Sequence, residues 1–466
     1  MTVDADPRLA RAIEPVRAAF PAGDVWLVGG AVRDVLLGRP LTDWDLVTTG
    51  DAEAIARAHA TALGVPVFPL SERHGTWRVV GDAGDVDVTA APEGITADLL
   101  RRDLTVNAIA VRLADGEVVA VPGALDDIDA RVLRAVADHS FRDDPLRLLR
   151  LVRLATELEL EIDPDTAVLA RRDAALAADP AGERQRAELE RILLSRDPVD
   201  GLRRLDDLGI LAVVLPELKA LEGVEQNRYH HLDVLDHSLQ VLDAAIDLVE
   251  HPEFAFGPAA AAVAAALAEE LDADTDVALA VRWGALLHDV AKPHTRHVFD
   301  DGHVGFPGHA QQGAEMAMVI LARLRCSTAL QRCVAVLVRE HLRLGFLVSD
   351  GELDRRGVHR YRVETEPWSI ASVIVSLADR WSTRGTRARQ RWIRRHEQTA
   401  AAMALALAEP PLPPLVRGDD LAAALGQDPG PEIGRLLALI AEEQAAGELT
   451  TADQAIAFAR TAVDEA

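Results

Sequence analysis

Two aspartates two residues apart, Asp43 and Asp45, close the stretch LVGGAVRDVLLGRPLTDWDLV (27–47), which opens with the glycine pair Gly29 and Gly30. At that spacing on a strand, both carboxylates point to the same face. A glycine turn leading into a helix offers backbone amides and a helix N-terminus to phosphate. Together they read as a site for a metal-bound nucleoside triphosphate. The carboxylates would hold magnesium in two-metal phosphoryl or nucleotidyl transfer. Arg33, one turn into the helix, is the natural triphosphate clamp, because a guanidinium grips phosphate oxygens bidentately. Either fragment alone is common in surface turns of α/β domains. The specificity lies in their order and spacing.

The elements that must position these groups are short. VWLVGG reads as an apolar strand ending in a turn, a helix starts from Ala31, and a second strand carries both aspartates. Asp85 and Asp87 in GDVDVTA alternate on a further expected strand. Asp87 is the better placed to add a third carboxylate, with a solvated strand face as the alternative reading. Strands and helices alternate to about residue 138. From Phe141 onward strand signals almost vanish and apolar residues recur at helical spacing, so the chain reads as an α+β head followed by helical domains. A length of 466 residues exceeds what one hydrophobic core usually supports, and 49% of the residues are apolar. DADTD (272–276) reads as an exposed loop and EPPLPPL (409–415) as a linker before a small helical C-terminal piece.

MTVDADPRLA has no apolar run behind a basic start, and the Ala-rich stretch near 255–268 is too short to span a bilayer. A cytoplasmic protein off the membrane is expected. Cys326 and Cys333, seven apart on one expected helix, read as buried reduced thiols. The net charge of −26 argues against indiscriminate coating of nucleic acid, so any phosphate-binding surface needs its cations concentrated. Arg380, Arg384, Arg387, Arg391 and Arg394 follow one another at three- or four-residue steps, with Trp381 and Trp392 interleaved. On one helix they form a stripe suited to an RNA backbone, or equally a solvated face.

The 27–47 stretch resembles the nucleotidyltransferase motif of the bacterial tRNA CCA-adding enzyme and poly(A) polymerase family. RRDLTVNAIAV (101–111), DDPLRLLRLVRLA (143–155) and ERQRAELERIL (183–193) resemble that family's later head and neck motifs in the expected order. LLHDVAKP (286–293) resembles the signature of an HD metal-phosphohydrolase domain. The resemblance spans nearly the whole chain. It implies a nucleotidyltransferase head with a mixed β-sheet (1–138), a helical neck for base selection and RNA binding (139–225), an HD domain (226–400) and a small helical C-terminal domain (410–466). It further implies that Asp43 and Asp45 are catalytic magnesium ligands, and that Gly29, Gly30 and Arg33 contact the nucleotide. Arg102 would contact the triphosphate and Asn107 the ribose. Asp103 either holds Arg102 in place or caps a helix.

The same resemblance gives base selection to Asp144 and Arg147. Physically, a carboxylate beside a guanidinium offers an acceptor next to donors, which matches the exocyclic amine and ring nitrogen of cytosine and adenine but not uracil or guanine. Polar base contacts of this kind are each worth about 1–3 kcal/mol of discrimination. Arg150 and Arg153 continue the series at three-residue steps. They either join the nucleotide site or bind RNA phosphates or neck carboxylates such as Glu183 and Glu188. Many members carry a longer flexible segment before the RRD motif, associated with the switch from C to A addition. Here only AAPEGITADLL intervenes, which admits a CC-adding specialist.

In the helical region, His237, His288, Asp289 and Asp379 resemble the minimal HD ligand set, and His309 and His341 the extra histidines of two-metal members. Imidazoles and carboxylates suit a divalent transition metal, and Lys292 could bind a phosphate. The expectation is a template-independent tRNA nucleotidyltransferase that adds C and A from CTP and ATP. Its alternatives are a CC-adding enzyme, a poly(A) polymerase, or mainly an HD phosphohydrolase acting on RNA ends such as 2′,3′-cyclic phosphates.

Overall fold

The computed structural model describes residues 7–20, 23–40, 44–71, 75–81, 84–226, 231–350, 353–384 and 390–464. Asp43 and Arg387 lie outside the described residues. The chain divides into two compact units, Met1–Val214 and Leu215–Ala466.

The first unit is built on a seven-stranded mixed sheet: β1 (Val25–Val28), β2 (Trp44–Thr48), β3 (Val67–Ser71), β4 (Thr76–Val79), β5 (Val86–Ala90), β6 (Ile109–Arg112) and β7 (Val118–Ala120). Their order is β3-β4-β5-β2-β1-β6-β7. Strand β1, VWLV, is buried at all its positions, as befits a central strand covered on both faces. It runs antiparallel to β2 and β6, whereas β2 and β5 are parallel. Strand β2 is buried only at its C-terminal end, and Asp45 near its start is exposed.

After the sheet in sequence, the helices Arg147–Leu158, Gly182–Leu193 and Pro198–Asp207 pack against one another through Leu148, Leu149, Val152, Leu189, Ile192, Leu202 and Leu205. The third begins where Asp197 accepts from the Asp200 amide and proline takes the first helical position, a pairing that fixes the helix start. The region after Phe141 is not purely helical. Glu161–Ile162 pairs in parallel with Val132–Leu133, a two-residue bridge too short to leave an alternating pattern in the sequence.

In the second unit the helices Val234–Glu250, Val277–Leu287, His309–Arg323, Thr328–Glu340 and Ser369–Ser382 enclose a core that includes Trp283, Leu286, Val334, Leu337, Ile374 and Leu377. A small hairpin, His297–Val298 against Val304–Gly305, interrupts them. Cys326 precedes its helix while Cys333 lies within one; both are buried and neither forms a disulfide. Arg380, Arg384 and Arg391 do not share one helix. The first helix ends at Ser382 and the next starts at Gln390. Thr383 leaves the helical region (φ −90°, ψ 93°), its hydroxyl donates to the Asp379 carbonyl, and Arg384 Nε donates to the Trp381 carbonyl. Side chains thus take up the carbonyls of the last turn and end it. Arg384 and Arg391 are exposed.

Past the exposed 409–414 stretch, Gly418–Leu425, Pro431–Ala446 and Ala452–Asp464 close on a small core of their own around Leu421, Leu436, Ile440 and Ala455. Among the described residues no helix is long and apolar enough to cross a membrane.

Gly201 shows how tightly the helices of the first unit meet. A Cβ there would come within 2.6 Å of Ile192 Cγ2 and 3.0 Å of Thr156 Oγ1. Gly201→Ala should therefore destabilise the protein by about 1–3 kcal/mol, as overpacking does. Gly434→Ala is the control: it is exposed on a helix with nothing within 4 Å of the new carbon, and should stabilise by about 0.5–1 kcal/mol. Urea denaturation reads both.

Candidate active site and metal centre

Gly29 takes φ 69° and ψ −130°, between β1 and the helix Gly30–Leu36. A side chain at Gly29 would collide with the guanidinium of Arg102, so this turn is glycine for both backbone and contact reasons. The register that pairs Leu27 with Leu46 brings Asp45 alongside Val28, one residue before the turn. On the other side Asp45 is in register with Asp87, and Asp87 with Arg78. Acid, acid and base thus form one row across three adjacent strands and project from the same face. Arg78 holds Asp87 with two hydrogen bonds, 2.8 and 2.7 Å, and lies 3.5 Å from Asp85. Asp45 therefore has a second carboxylate beside it, already neutralised by a fork of donors.

The polar groups behind the turn are closely interlinked. Arg33 is buried, donating to Asn107 Oδ1 at 2.7 Å and to Asp34 at 2.9 Å. Asn107 in turn donates to Asp103 Oδ1 at 2.9 Å. Both Arg33 and Asn107 thus spend side-chain bonds on each other. The expectation that Asp103 holds Arg102 needs correcting. Arg102 is held by Asp98, with contacts of 3.0 and 2.9 Å, while Asp103 faces Arg150 Nε at 2.6 Å. Asp98 precedes Arg102 by four residues at the end of the helix Ile95–Leu100, a spacing visible in the sequence.

The side chains of Asp144 and Arg147 likewise do not pair with each other among the described residues; only the Arg147 amide donates to the Asp144 carbonyl, at 3.0 Å. Asp144 stands in an extended conformation ahead of the helix that Arg147 begins, and it contacts Arg184 at 3.2 Å. Arg147 donates to the carbonyls of Ser140 (3.1 Å) and Arg101 (2.6 Å). Arg184, 40 residues away in sequence, is the guanidinium that sits beside the Asp144 carboxylate. Arg153 is buried against Glu188 at 2.7 Å, with Glu157 at 3.6 Å. Burial drives Arg153 down to about 10 and Glu188 upward, against the attraction between them.

The second cluster lies where the helices of the C-terminal unit converge. His237 comes from Val234–Glu250, whose start is capped by Asp233. His288 and Asp289 follow Val277–Leu287, His309 opens its helix, His341 follows Thr328–Glu340, and Asp379 sits on Ser369–Ser382. Asp289 is the hub. Its Oδ2 lies 3.0 Å from His288 Nε2, 3.7 Å from His237 Nε2 and 2.5 Å from Lys292 Nζ; its Oδ1 lies 3.3 Å from His309 Nε2 and 4.0 Å from His341 Nε2. Asp379 reaches His237 Nε2 at 3.1 Å. Lys292 also bonds Gln226 Oε1 at 2.6 Å.

Two triplets of potential ligands share Asp289: His237 with His288, and His309 with His341. Three of the rings are tautomerically fixed. Nδ1 of His288, His309 and His341 meets the carbonyl of Ala285, Phe306 and Val338 at 2.8, 2.7 and 2.7 Å. A carbonyl can only accept, so Nδ1 carries a proton and Nε2 is the nitrogen each ring turns inward. Burial pushes His341 down to about 3, which keeps it neutral. Burial would raise Asp289, yet His288 and Lys292 beside it hold it well below the usual carboxylate range. Both oxygens of Asp289 and Nε2 of His288 are buried without a well-formed hydrogen bond among the described residues. Imidazole nitrogens around an ionised carboxylate that both triplets share fit a divalent cation, and the cluster can hold one.

A sheet with a carboxylate row beside a glycine turn, followed by a buried His/Asp centre, defines a nucleotidyltransferase head joined to an HD domain. Residues 25–93 and 81–134 match the poly A polymerase head domain, 159–222 the probable RNA and SrmB-binding site of polymerase A, and 234–384 the HD domain. The chain is 38% identical over 462 residues to the A-adding tRNA nucleotidyltransferase of Deinococcus radiodurans, covering 97% of this chain and 98% of that one. It is 36% identical over 447 residues to the CC-adding tRNA nucleotidyltransferase of Thermus thermophilus, covering 93% of each. The fold is similar to that of the Thermotoga maritima CCA-adding enzyme solved with tRNA (TM-score 0.64, 20% identity, 99% of each chain). The chain belongs to the CCA-adding tRNA nucleotidyltransferase and poly(A) polymerase family with an HD domain.

The His/Asp cluster yields a direct expectation. Protein prepared with manganese or cobalt should carry bound metal, and chelation should lower its melting temperature, since a ligand of the folded state alone stabilises it. His288→Ala should lose the metal, by elemental analysis, and with it the chelator-sensitive part of the melting temperature.

Proposed function

We propose that this chain extends the 3′ end of tRNA without a nucleic-acid template, using CTP and ATP and releasing pyrophosphate. The observation that carries the reading is the exposed Asp45, in register with Asp87 and one residue from the turn over which Arg102 lies. The acceptor 3′-hydroxyl attacks the α-phosphorus, a new P–O bond forms, and pyrophosphate leaves. Gly29, Gly30 and Arg102 seat the triphosphate, and Asp144 and Arg147 read the base. Magnesium held by Asp43 and Asp45 would supply Lewis acidity at the transferred phosphorus and make the hydroxyl more acidic. No histidine base is required in the head. The division into head (1–138), neck (139–225), HD (226–400) and C-terminal (410–466) domains is part of this reading, as is RNA binding by Arg380, Arg384, Arg387 and Arg391.

Two relatives along nearly the full chain bear names for complementary steps, A addition and CC addition, which supports the reaction class. A second reading, addition of C alone, is favoured by one feature. The connection from β5 to Arg101 is a turn closed by a Gly94 amide to Ala91 carbonyl bond, then the helix Ile95–Leu100 with Leu99 buried. It is short and folded, where many CCA-adding members of the family carry a longer flexible segment. The HD centre, in this reading, hydrolyses phosphoesters at damaged RNA ends, such as 2′,3′-cyclic phosphates. Metal-loaded protein that leaves every such end intact would rule that out.

The test is nucleotide counting. Purified protein with magnesium is given tRNA ending at the discriminator base, at C, or at CC, together with CTP, ATP, both, or UTP. Two additions from CTP and a third only with ATP mean CCA synthesis, while two from CTP with none from ATP mean the restricted enzyme. A on the CC-ended substrate alone means an A-adding enzyme. Long A tracts on unrelated RNA mean a poly(A) polymerase. Asp45→Asn should cut addition by a factor of about 1,000 or more, since a metal-binding carboxylate supplies several kcal/mol of transition-state stabilisation. It should leave any phosphoester hydrolysis by the HD centre unchanged.

A further inference from the structure

Asp103 and Arg150 come from segments 47 residues apart and form the tightest ionic contact behind the glycine turn, Nε to Oδ2 at 2.6 Å. The Asp103 side chain is 9% exposed, so its charge sits largely out of water. Its other oxygen accepts from the Leu104 amide at 2.8 Å and from Asn107 Nδ2 at 2.9 Å. Neither Asp103 Oδ2 nor Arg150 Nε has a well-formed hydrogen bond among the described residues, which leaves each facing the other. Burial would raise the Asp103 carboxyl; Arg150 beside it, with the bonds from Asn107 and Leu104, holds it below its ordinary value. Asp103 in turn raises Arg150, and Glu188 and Asp45 add to that effect.

This pair closes a continuous chain of side chains. It runs from Arg33, in the helix after the glycine turn, through Asn107 and Asp103 to Arg150 in the helix Arg147–Leu158. One turn earlier on that helix, Arg147 donates to the carbonyl of Arg101, the residue just before Arg102. The helix that begins with the base-reading end is therefore pinned at two points, three residues apart, to the segment that lays Arg102 over Gly29. A guanidinium whose Nε is committed to a buried carboxylate has little freedom to follow a base. Removing either partner leaves the other as an uncompensated charge.

Resting on the nucleotidyltransferase reading above, we infer that Arg150 is a positioning residue: with Asp103 it clasps the base-reading helix to the triphosphate-binding turn and fixes the distance between the selected base and Asp45. The clasp acts on geometry, not on the affinity for the triphosphate. Its loss lets the base sit out of line with the metal carboxylates, where a displacement of about 1 Å costs about 100-fold in rate. It also relaxes the choice of base, because an acceptor–donor pair discriminates only while it is held in place.

The test compares wild type with Arg150→Gln, Arg150→Lys, Asp103→Asn and the double variant Asp103→Asn/Arg150→Gln. It uses full-length protein and the tRNA and nucleotides for which the wild type is active. Arg150→Gln and Asp103→Asn should each lower kcat by about 10- to 100-fold for every accepted nucleotide, leave KM for the nucleotide within about threefold, and raise the share of UTP misincorporated. The double variant should be no slower than the slower single one, since both break the same contact. Arg150→Lys, which keeps the charge but not the fork, should recover part of the rate. Independent, multiplying losses would overturn the inference. So would a raised KM for one nucleotide only with Arg150→Gln and not with Asp103→Asn, the mark of a base contact. Full rate at temperatures where the variants remain folded would show a purely structural pair and overturn it too. A wild type that transfers nothing to any RNA end defeats the functional reading and this inference with it, a result distinct from an active wild type with additive variants.

Discussion

A carboxylate withdrawn from water must meet positive charge or hydrogen-bond donors, and each of the two units is organised around one that does. Asp103 in the first unit and Asp289 in the second are nearly inaccessible, and burial alone would push both toward protonation. Each stays ionised because cations and donors surround it: Arg150, Asn107 and the Leu104 amide for Asp103, His288 and Lys292 for Asp289. In the first unit the solution is rigid and permanent, a guanidinium with an amide side chain and a backbone amide. In the second it consists of imidazoles and one ammonium, groups that can give way to a metal ion or share the carboxylate with it. The same electrostatic problem is thus solved once for architecture and once for chemistry.

Asp45 follows the opposite rule. It is exposed, and its neighbour in the parallel strand, Asp87, is already satisfied by Arg78. Two unscreened acids in register repel one another. Pairing Asp87 with a bidentate arginine from the next strand removes that repulsion, while Asp45 stays exposed. The glycine turn meets a complementary demand: it permits a guanidinium to lie where any side chain would stand.

Much of this was legible in the chain itself, because several of the decisive features are local. The glycine pair, the alternation that puts Asp87 on a strand face, the helical periodicity after Phe141, and the neighbouring His288 and Asp289 all depend on short spacings. What escaped was pairing across sequence distance. Asp144 meets Arg184, and Asp103 meets Arg150, only because the helices of the first unit pack as they do. Nothing within either segment encodes its partner. Asp98 was a readable miss, since four residues separate it from Arg102. The arginine run failed differently. Its three- and four-residue steps imitate one helical face, but Thr383 and Arg384 turn their side chains onto the helix end and stop it. Periodicity reports a face only while the helix continues.

The three histidines whose rings are fixed by carbonyls share one detail: each acceptor lies three positions earlier in the same segment, Ala285 for His288, Phe306 for His309 and Val338 for His341. The Nδ1 proton of each imidazole is therefore allocated within a four-residue stretch rather than by the assembled core. The centre is in that sense modular, made of prefabricated donors that need only be brought together. Changes in the surrounding packing can alter how closely the nitrogens converge without altering which nitrogen each one presents.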